Sequence, residues 1–512
     1  MVIETDLFHT MDYLETSPKL KVAFVATTTL LLFLTIYVAY QKLFHPLSKY
    51  PGPFLASLTN GWKGYYIYKL NLHEQLLNAH IKYGPVIRVG PNDLHFWNAD
   101  AISPIYKSGR QMAKTEFYDG FTAFKPNLFG GRDEDIHALR RRQLSHGFSQ
   151  ASIWKMEPLI DGQMKILIEK LKRLAQNQEV FDFKRLIGFY VFDILGDVAF
   201  GRSFNTQISE MAPEIPAISD HIFLSSLLGT FPFRSFFKSV IPMLPIPRLR
   251  QLIGSRGKLK ETCADCVETR RQQSSTSRSD LMQHLLDAKD PETGAKLTDP
   301  EINSEAWAML IAGSHSTSGS LSLLFWHLLH DDQVLKQVDK EIRDILGDLP
   351  DDKISYPIKG LESSLNYTRV CIQESFRISP VFSMCLWRRV LNPGGVDIDG
   401  HHIPQNTNVS ISNYALHHNP KIWGADIEDF SPERFLEADG KSMASNLLQF
   451  SIGHRMCIGK HLAMTNIWKT LTTLINKFEF HPVSSEPRVE MESSGIGEMR
   501  GPFLCTVTIK GH

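Results

Sequence analysis

The most informative stretch of the chain is Phe450-Ser451-Ile452-Gly453-His454-Arg455-Met456-Cys457-Ile458-Gly459-Lys460. Two glycines bracket a cysteine, and glycine lets the backbone turn and approach a flat ligand closely. The cysteine stands just before a predicted helix from Lys460 to Phe478, and a helix amino terminus stabilises a thiolate. Arg455 adds a cation two residues before Cys457. A lone cysteine is more often a buried small hydrophobe, so the whole loop carries the prediction of a thiolate site.

Composition narrows the class of protein. The chain has 512 residues, no net formal charge and 43% hydrophobic residues, which suffices for a large buried core. Balanced charge argues against a nucleic-acid-binding protein, because such proteins carry a basic stripe. The cysteines show no regular spacing, which favours a reducing compartment. Cys263 and Cys266 form a Cys-x-x-Cys pair, but no second pair follows at zinc spacing, so we interpret them as helix residues.

Hydrophobic periodicity predicts a mainly α protein with a minor β portion. The pattern is mainly helical from Arg132 to Leu349, whereas short runs at 86–89 and 408–412 are strand-like. The polar stretch from Gln272 to Ser279 is typical of an exposed loop. Because no linker divides the body, we expect one large domain over residues 54–512.

The amino-terminal segment predicts a membrane anchor. Residues 22–40 are uncharged and mostly apolar, and a helix of this length spans roughly 28 Å, close to the ~30 Å of a bilayer core. A signal peptide would have a shorter apolar core and a cleavage site, which residues 41–46 do not provide. We therefore expect a single-span anchor, a short luminal tail at 1–21 and a proline-rich hinge at 41–53. Lysines on both flanks leave the orientation open.

The thiolate loop is similar to the heme-binding signature of the cytochrome P-450 family. That signature, Phe-x-x-Gly-x-Arg-x-Cys-x-Gly, matches at Phe450, Gly453, Arg455, Cys457 and Gly459. The resemblance implies a P-450-type domain that binds heme b, with Cys457 as the iron ligand and Arg455 on a heme propionate. Phe450 and Gly459 would border the cofactor. A thiolate ligand increases electron density at the iron and favours O–O cleavage.

Three further residues resemble propionate partners of the family. His137 and Arg141 share a helix face, with His137 where the family has a tryptophan, and both could donate to a carboxylate. Arg388 resembles a third propionate arginine, and Arg389 is its rival.

A charged pair is the next feature shared with the family. Glu374 and Arg377 lie three residues apart on one predicted helix face, a spacing that usually marks a surface ion pair. In the family, Glu-x-x-Arg is buried and couples to a later arginine, here Arg434. The resemblance therefore implies that Glu374, Arg377 and Arg434 form a structural charge network.

The helix expected above the heme departs from the family pattern. Residues 298–301 predict its start, and its middle, 312–319, holds two glycines and four hydroxyl residues. The family pattern there is Ala/Gly-Gly-x-Asp/Glu-Thr, but this chain has His315 for the acid and Ser316 for the threonine. Thr317 is a second candidate alcohol. Since histidine relays protons near neutral pH, we expect altered but intact proton delivery. Tight packing of small residues, a contact of His315 with water or substrate, and loss of ordinary hydroxylation are alternatives.

The substrate side is predicted to be apolar and aromatic. The resemblance places the following residues above the heme: Phe117, Phe121, Phe124, Ile311, Ser314, Val381, Phe382 and Ile496. Such a set suits a bulky lipophilic substrate, although core packing explains each aromatic taken singly.

The hinge region resembles fungal microsomal members of the family. This implies the endoplasmic reticulum membrane, a cytosolic catalytic domain and an NADPH–cytochrome reductase as electron donor. The acidic reductase would dock on a basic face of Arg140, Arg141, Arg142, Lys460 and His461.

The leading functional prediction is a monooxygenase that uses dioxygen and NADPH-derived electrons. It would hydroxylate, desaturate or repeatedly oxidise a secondary metabolite such as a polyketide, terpenoid or indole compound, in a mycotoxin-type pathway. A heme-thiolate isomerase or dehydratase that needs no dioxygen is the first alternative, since His315 and Ser316 are altered. A membrane-anchored heme protein without enzymatic activity is the second.

Overall fold

Helices make up most of the described chain, in agreement with the predicted mainly α fold. The computed structural model describes residues 18–107, 109–212, 214–231, 246–273 and 280–511. Residues 1–17 of the predicted tail and 274–279 of the predicted polar loop therefore lie outside the described residues.

The helices alternate with short connections along the chain. Those of the first half are α1 (Pro18–Ala39), α2 (Phe54–Leu58), α3 (Gly61–Tyr68), α4 (Leu72–Tyr83), α5 (Ile102–Tyr106), α6 (Glu134–Ser145), α7 (Gln150–Lys155), α8 (Glu157–Asn177), α9 (Phe183–Phe200), α10 (Thr206–Ser209) and α11 (Glu214–Thr230). Those of the second half are α12 (Pro247–Gln272), α13 (Leu281–Leu286), α14 (Asp299–Gly313), α15 (His315–Leu329), α16 (Asp332–Leu346), α17 (Leu361–Ser364), α18 (Asn366–Ile378), α19 (Asn413–His417), α20 (Pro420–Trp423), α21 (Gly440–Ser445) and α22 (Lys460–Lys477).

The minor β portion is split into small sheets. The strands are β1 (Val86–Gly90), β2 (Asp93–Phe96), β3 (Met112–Lys114), β4 (Phe181–Asp182), β5 (Arg388–Val390), β6 (Val396–Ile398), β7 (His401–Ile403), β8 (Asn408–Ile411), β9 (Phe478–Pro482), β10 (Met491–Ser493), β11 (Gly497–Met499) and β12 (Leu504–Ile509). Five form a sheet in the order β1-β2-β8-β5-β3, and three form a sheet in the order β4-β12-β9. Strands β2 and β8 run parallel, with Leu94 opposite Val409. Both predicted strand-like runs are confirmed, as β1 and β8.

Helix α1 stands apart from the packed body. Its apolar side chains are exposed, and the helical segment Lys21–Phe44 has a mean hydropathy of 2.2. Among the described residues it is the helix long and apolar enough to cross a membrane. The hinge after it is held in place: Arg88 donates to the carbonyl and side-chain oxygens of Gln41 at 2.8 and 2.6 Å. The backbone N–H of Arg88 also donates to Pro51 at 2.7 Å.

The core places the candidate site between buried helices. Helix α15 packs against α9, α18 and α22, and all four carry fully buried apolar side chains such as Tyr190, Phe325 and Trp468. Burial on several sides makes these helices a rigid frame.

The helix predicted above the heme is interrupted, so the expectation of one continuous helix is wrong at Ser314. Helix α14 ends at Gly313, and Ser314 has φ −78° and ψ −79°. A side chain at Gly313 would meet Leu195 of α9 at 2.6 Å, so the helices touch closely here. Ser316 and Ser318 donate to the carbonyls of Ala312 and Ser314 at 2.6 and 3.1 Å. Such side-chain bonds compete with the helix ladder and bend it.

Candidate heme site

The thiolate loop is closed by its own backbone. Cys457 N–H donates to the Phe450 carbonyl at 2.9 Å, and Met456 N–H donates to Gly453 at 3.1 Å. Gly453 has a φ of +72°, and a side chain there would lie 2.6 Å from the Tyr106 carbonyl. Only glycine fits both conditions, so this position fixes the turn that presents Cys457.

Burial and the surrounding polar groups act in opposite directions on the Cys457 thiolate. Cys457 is exposed, yet protein surrounds it closely, and this burial raises the pKa of its thiol. The backbone N–H groups of Gly459 and Lys460 and the charge of Arg141 oppose that rise. These donors lie at the amino terminus of α22, which begins at Lys460 as predicted. The arrangement favours an anionic sulfur that gains a cationic partner such as a metal ion.

Buried cations collect beside this loop. Arg388 is buried and donates to the hydroxyl of Tyr118 at 2.8 Å. Lys114, also buried, donates to the Phe129 carbonyl at 2.5 Å. Burial lowers the pKa of the Lys114 ammonium well below its usual value, and the charges of Arg388 and Arg455 lower it further. Like charges gathered out of water require anions nearby.

Arg455 has a protein carboxylate as its partner in this structure. It donates to Glu134 at 2.7 Å and to the Gly131 carbonyl at 2.8 Å. A guanidinium has five N–H groups, so these contacts leave donors for a further acceptor. Glu134 also raises the pKa of Lys114, so this carboxylate faces both Arg455 and Lys114.

His137 and Arg141 both lie against the thiolate loop. Arg141 donates to the Met456 carbonyl at 2.6 Å. The His137 ring packs edge-on against His454, 5.9 Å between centroids. Burial, followed by the charges of Arg455 and Lys114, lowers the pKa of His137 to about 3. His137 is therefore neutral and can add a neutral donor at this place.

The two neighbouring arginines of β5 differ. Arg388 points to the cation cluster, whereas Arg389 donates to Glu116 at 2.5 and 2.8 Å. Arg389 thus has its own carboxylate, which separates it from the cluster.

The donor set fits heme b. An exposed cysteine at a helix start can bind iron, and Gly459 leaves the sulfur side open, since a side chain there would first meet Cys457 Sγ at 3.9 Å. The excess of buried cations matches the two propionate carboxylates of heme. The residues around the thiolate loop therefore supply both a ligand for the iron and cations for the propionates.

The predicted charge network is brought together completely. Glu374 and Arg377 are buried, with 0% of each side chain exposed. Glu374 accepts from Arg377 at 2.7 and 2.8 Å and from Arg434 at 3.1 Å. Arg377 also donates to the carbonyls of Ile427 and Asp429. The network ties α18 to the segment that leads into the thiolate loop.

The three candidate proton-delivery residues point in different directions. Ser316 is half-buried, and Ala312, one helical turn before it, is exposed although the surrounding helices are buried. Thr317 is buried. His315 is buried and turns to Ser219, with Nε2 2.8 Å from Ser219 Oγ. Ser316 is therefore the alcohol with open space in front of it.

The predicted pocket residues form two groups. In the first, Phe121 lies 5.7 Å from Phe117 and 6.2 Å from the buried His221, which contacts Trp307 and through it Phe124. In the second, Phe382 pairs with Ile496, and the Val381 carbonyl accepts from Gly497 at 2.5 Å. Val381 also lies 3.4 Å from where a side chain on Gly319 would be. Ile311 and Ser314 are buried on α14 and at its end.

The structure corrects the predicted basic face and agrees with the interpretation of the Cys-x-x-Cys pair. Arg140 is buried against Glu301 and Glu305, so its place on an exposed basic face is wrong. Arg142 pairs with Asp290. Cys263 and Cys266 are buried free thiols on α12, as interpreted.

Comparison with known proteins agrees with this geometry. The family model for cytochrome P-450 matches residues 49–507. The chain belongs to the cytochrome P-450 family. It is 30% identical over 498 residues to cytochrome P-450 monooxygenase poxM of Penicillium oxalicum, covering 95% of this chain and 94% of the relative. It is 28% identical over 512 residues to monooxygenase AKT7 of Alternaria alternata, covering 96% and 95%, and 27% identical over 469 residues to pisatin demethylase of Fusarium vanettenii, covering 89% and 88%.

Membership establishes the class of this P-450. It is a monooxygenase of a family that holds heme iron through a cysteine thiolate, as the sequence predicts, so the non-enzymatic alternative falls away. Lys114, Glu134 and Ser219 are site residues that the sequence did not indicate. No local pattern marks them, because each reaches the site from a separate element.

Proposed function

We propose that this P-450 oxidises a bulky lipophilic secondary metabolite, such as a polyketide, terpenoid or indole compound, in a fungal biosynthetic pathway. The observation that carries the proposal is the aromatic cluster of Phe117, Phe121, Phe124 and Trp307, in which His221 is the polar side chain that contacts the rings. Apolar pockets with a small number of polar groups bind lipophilic ligands and fix their orientation. Hydroxylation, desaturation and repeated oxidation all begin with the same activation of dioxygen.

Each part of the site has one task in this proposal. Cys457 binds the heme iron, and Arg388, Arg455, Arg141, His137 and Lys114 hold the propionates. Heme supplies dioxygen activation and electron transfer when bound. Ser316 donates to the Ala312 carbonyl at 2.6 Å, so its oxygen keeps lone pairs that can accept and pass on a proton. The aromatic cluster orients the substrate and excludes water.

Membrane attachment and electron supply belong to the same proposal. Helix α1 spans the endoplasmic reticulum membrane once, with residues 1–21 in the lumen, and residues 54–512 form the cytosolic catalytic domain. The exposed apolar side chains of α1 support this. Lys460, exposed beside Cys457, lies on the face where an acidic NADPH–cytochrome reductase would dock.

The experiment that tests the function uses membranes that contain the full-length protein and the reductase. They are incubated with candidate fungal metabolites, and products are identified by mass spectrometry with dioxygen or NADPH omitted in turn. Product that requires both supports the oxidation. Product formed without either would overturn the proposed oxidation and indicate an isomerase or dehydratase.

The Ser316 hydroxyl is expected to control coupling. In Ser316→Ala the donor and acceptor above the heme is lost, so we expect product formation to fall about a hundredfold, a typical share for one proton-transfer group. The released hydrogen peroxide per NADPH should rise correspondingly. Ser316→Thr keeps the hydroxyl and Thr317→Ala alters a buried neighbour, and both should couple like the wild type. Equal peroxide ratios in all three variants would remove Ser316 from the mechanism.

Arg388 and Arg389 provide a matched pair for heme retention. Arg388→Met removes a cation from the propionate cluster, and a charged hydrogen bond contributes about 1.5–3 kcal/mol, so heme affinity should fall roughly tenfold or more. Arg389→Met should bind heme normally because Arg389 pairs with Glu116. The measurement is the ratio of heme to protein after dilution with a heme acceptor. The stability of the apoprotein should not fall in Arg388→Met, because loss of the arginine relieves its repulsion with Lys114. If Arg389→Met lost heme and Arg388→Met did not, the assignment of Arg388 would be reversed.

A further inference from the structure

The two ring nitrogens of His315 lie in different surroundings. Its Nε2 lies 2.8 Å from Ser219 Oγ and 3.4 Å from Glu498 Oε1. Ser219 donates to Glu498 at 3.1 Å, so the three side chains form a short hydrogen-bonded chain. The other ring nitrogen, Nδ1, is buried and has no hydrogen-bond partner among the described residues. Since an unpaired buried polar atom is costly, Nδ1 has hydrogen-bonding capacity that a water molecule or a reacting group would satisfy.

The three elements that carry these side chains enclose a cavity, which His315 and Glu498 line. Ser219 lies on α11, His315 begins α15, and Glu498 lies on β11. The cavity measures about 860 Å³ and opens to the surface. The Glu498 side chain is 30% exposed and that of His315 is 6% exposed, so exposure falls from Glu498 toward the interior. Other charged residues line the cavity: Asp182, Lys184, Arg185 and Glu210.

We propose that Glu498, Ser219 and His315 form a proton relay that carries protons from this cavity to Ser316. The inference rests on the proposed oxygenation, because oxygen activation consumes protons. It assigns roles to Ser219 and Glu498, which lie on α11 and β11, outside the thiolate loop. His315 immediately precedes Ser316, and the relay requires one water between Nδ1 and the Ser316 hydroxyl to join the two.

Every proton in the relay is accounted for. The Nδ1–H bond breaks as that proton moves toward Ser316, while Nε2 takes the hydroxyl proton of Ser219. Ser219 Oγ takes the carboxyl proton of Glu498 in the same movement. Glu498 is left as a carboxylate that accepts from Ser219, which is the arrangement in the structure. Solvent in the cavity then protonates Glu498. Rotation of the Ser219 hydroxyl and a flip of the imidazole ring, which turns the protonated ring nitrogen away from Ser219, prepare the chain for the next proton.

The surroundings of His315 favour the neutral form of its ring, and burial is the main cause. Burial lowers the pKa of His315, Glu498 opposes this, and Lys184 on α9 adds to the lowering. A neutral imidazole has one donor and one acceptor, which a relay requires. The remaining carboxylates of the cavity are engaged elsewhere: Glu210 pairs with Lys170 at 2.7 Å, and Asp182 caps α9. Glu498 is thus the carboxylate directed at the ring.

The experiment compares Glu498→Gln and Ser219→Ala with the wild type in the full-length enzyme reconstituted with reductase, NADPH and dioxygen. Glutamine keeps an oxygen acceptor for Ser219, so a purely structural contact survives, but a proton can no longer be passed. We expect NADPH consumption to slow about a hundredfold in both variants. In the wild type, the solvent deuterium isotope effect on NADPH consumption should indicate that several protons move together. In both variants this isotope effect should change. The double variant should be no slower than the slower single variant.

Matched controls separate the possible outcomes. Glu498→Asp should recover most of the rate, and Glu210→Gln, which changes charge in the same cavity, should behave like the wild type. The thiolate-type ferrous–CO band should be equal in all variants. If that band is retained while Glu498→Gln and Ser219→Ala consume NADPH at the wild-type rate and isotope effect, the relay is wrong and the oxygenase function stands. A wild type that consumes no NADPH under dioxygen would overturn both.

Discussion

Replacing Cys457 with serine is expected to abolish the thiolate-type Soret band of the ferrous–CO complex and all oxidation that depends on NADPH. The sulfur is exposed at the start of α22, and it is the site's candidate for a strongly electron-donating iron ligand. A serine hydroxyl is a weaker donor that stays protonated near neutral pH, so the electron push that favours O–O cleavage is lost. Heme content and the ferrous–CO spectrum of purified protein measure the effect.

Cys263→Ala is the matched control for this change. Cys263 is buried on α12 as a small apolar residue, and burial raises the pKa of its thiol well above the usual range. Its removal should therefore leave the ferrous–CO spectrum unchanged. A Cys457→Ser protein with an unaltered thiolate band would refute the assignment of the ligand, and with it the proposed chemistry above the iron.

Features encoded within a few consecutive residues could be predicted from the sequence. The thiolate loop, the start of α22 at Lys460 and the spacing of Glu374 and Arg377 each depend on local turn geometry or on one helix face. The apolar segment of α1 follows from composition alone. For these features the physical requirement and the sequence pattern cover the same residues.

Features that depend on distant segments could not be predicted. Ser219 precedes His315 by 96 residues, and Glu498 lies on a hairpin near the end of the chain, so no periodicity links them. Lys114 looks like any surface lysine until β3 buries it beside Arg388. The break at Ser314 has a similar origin: several small residues lower helix stability, but Leu195 of another helix decides where the closest packing occurs.

Removing Glu374 is expected to have the largest effect on folding. The carboxylate is fully buried and accepts from Arg377, Arg434 and the backbone N–H of Ser431. In Glu374→Ala two guanidinium groups lose the anion they share, and breaking a buried ion pair in this way costs about 3–5 kcal/mol. Urea unfolding of the detergent-solubilised protein measures the loss of unfolding free energy, and the heme content of the expressed protein should fall with it.

A surface ion pair shows whether burial is the cause. Glu490 and Arg500 lie 3.2 Å apart, but their side chains are 76% and 68% exposed, and exposed pairs contribute little because water and salt screen them. Glu490→Ala should therefore unfold at the wild-type urea concentration. Glu374→Gln should fall between the two, since it keeps an acceptor oxygen for one arginine but supplies no charge. If Glu374→Ala unfolded like Glu490→Ala, the buried network would not hold α18 to the segment before the thiolate loop, and the rigid placement of Cys457 would require another source.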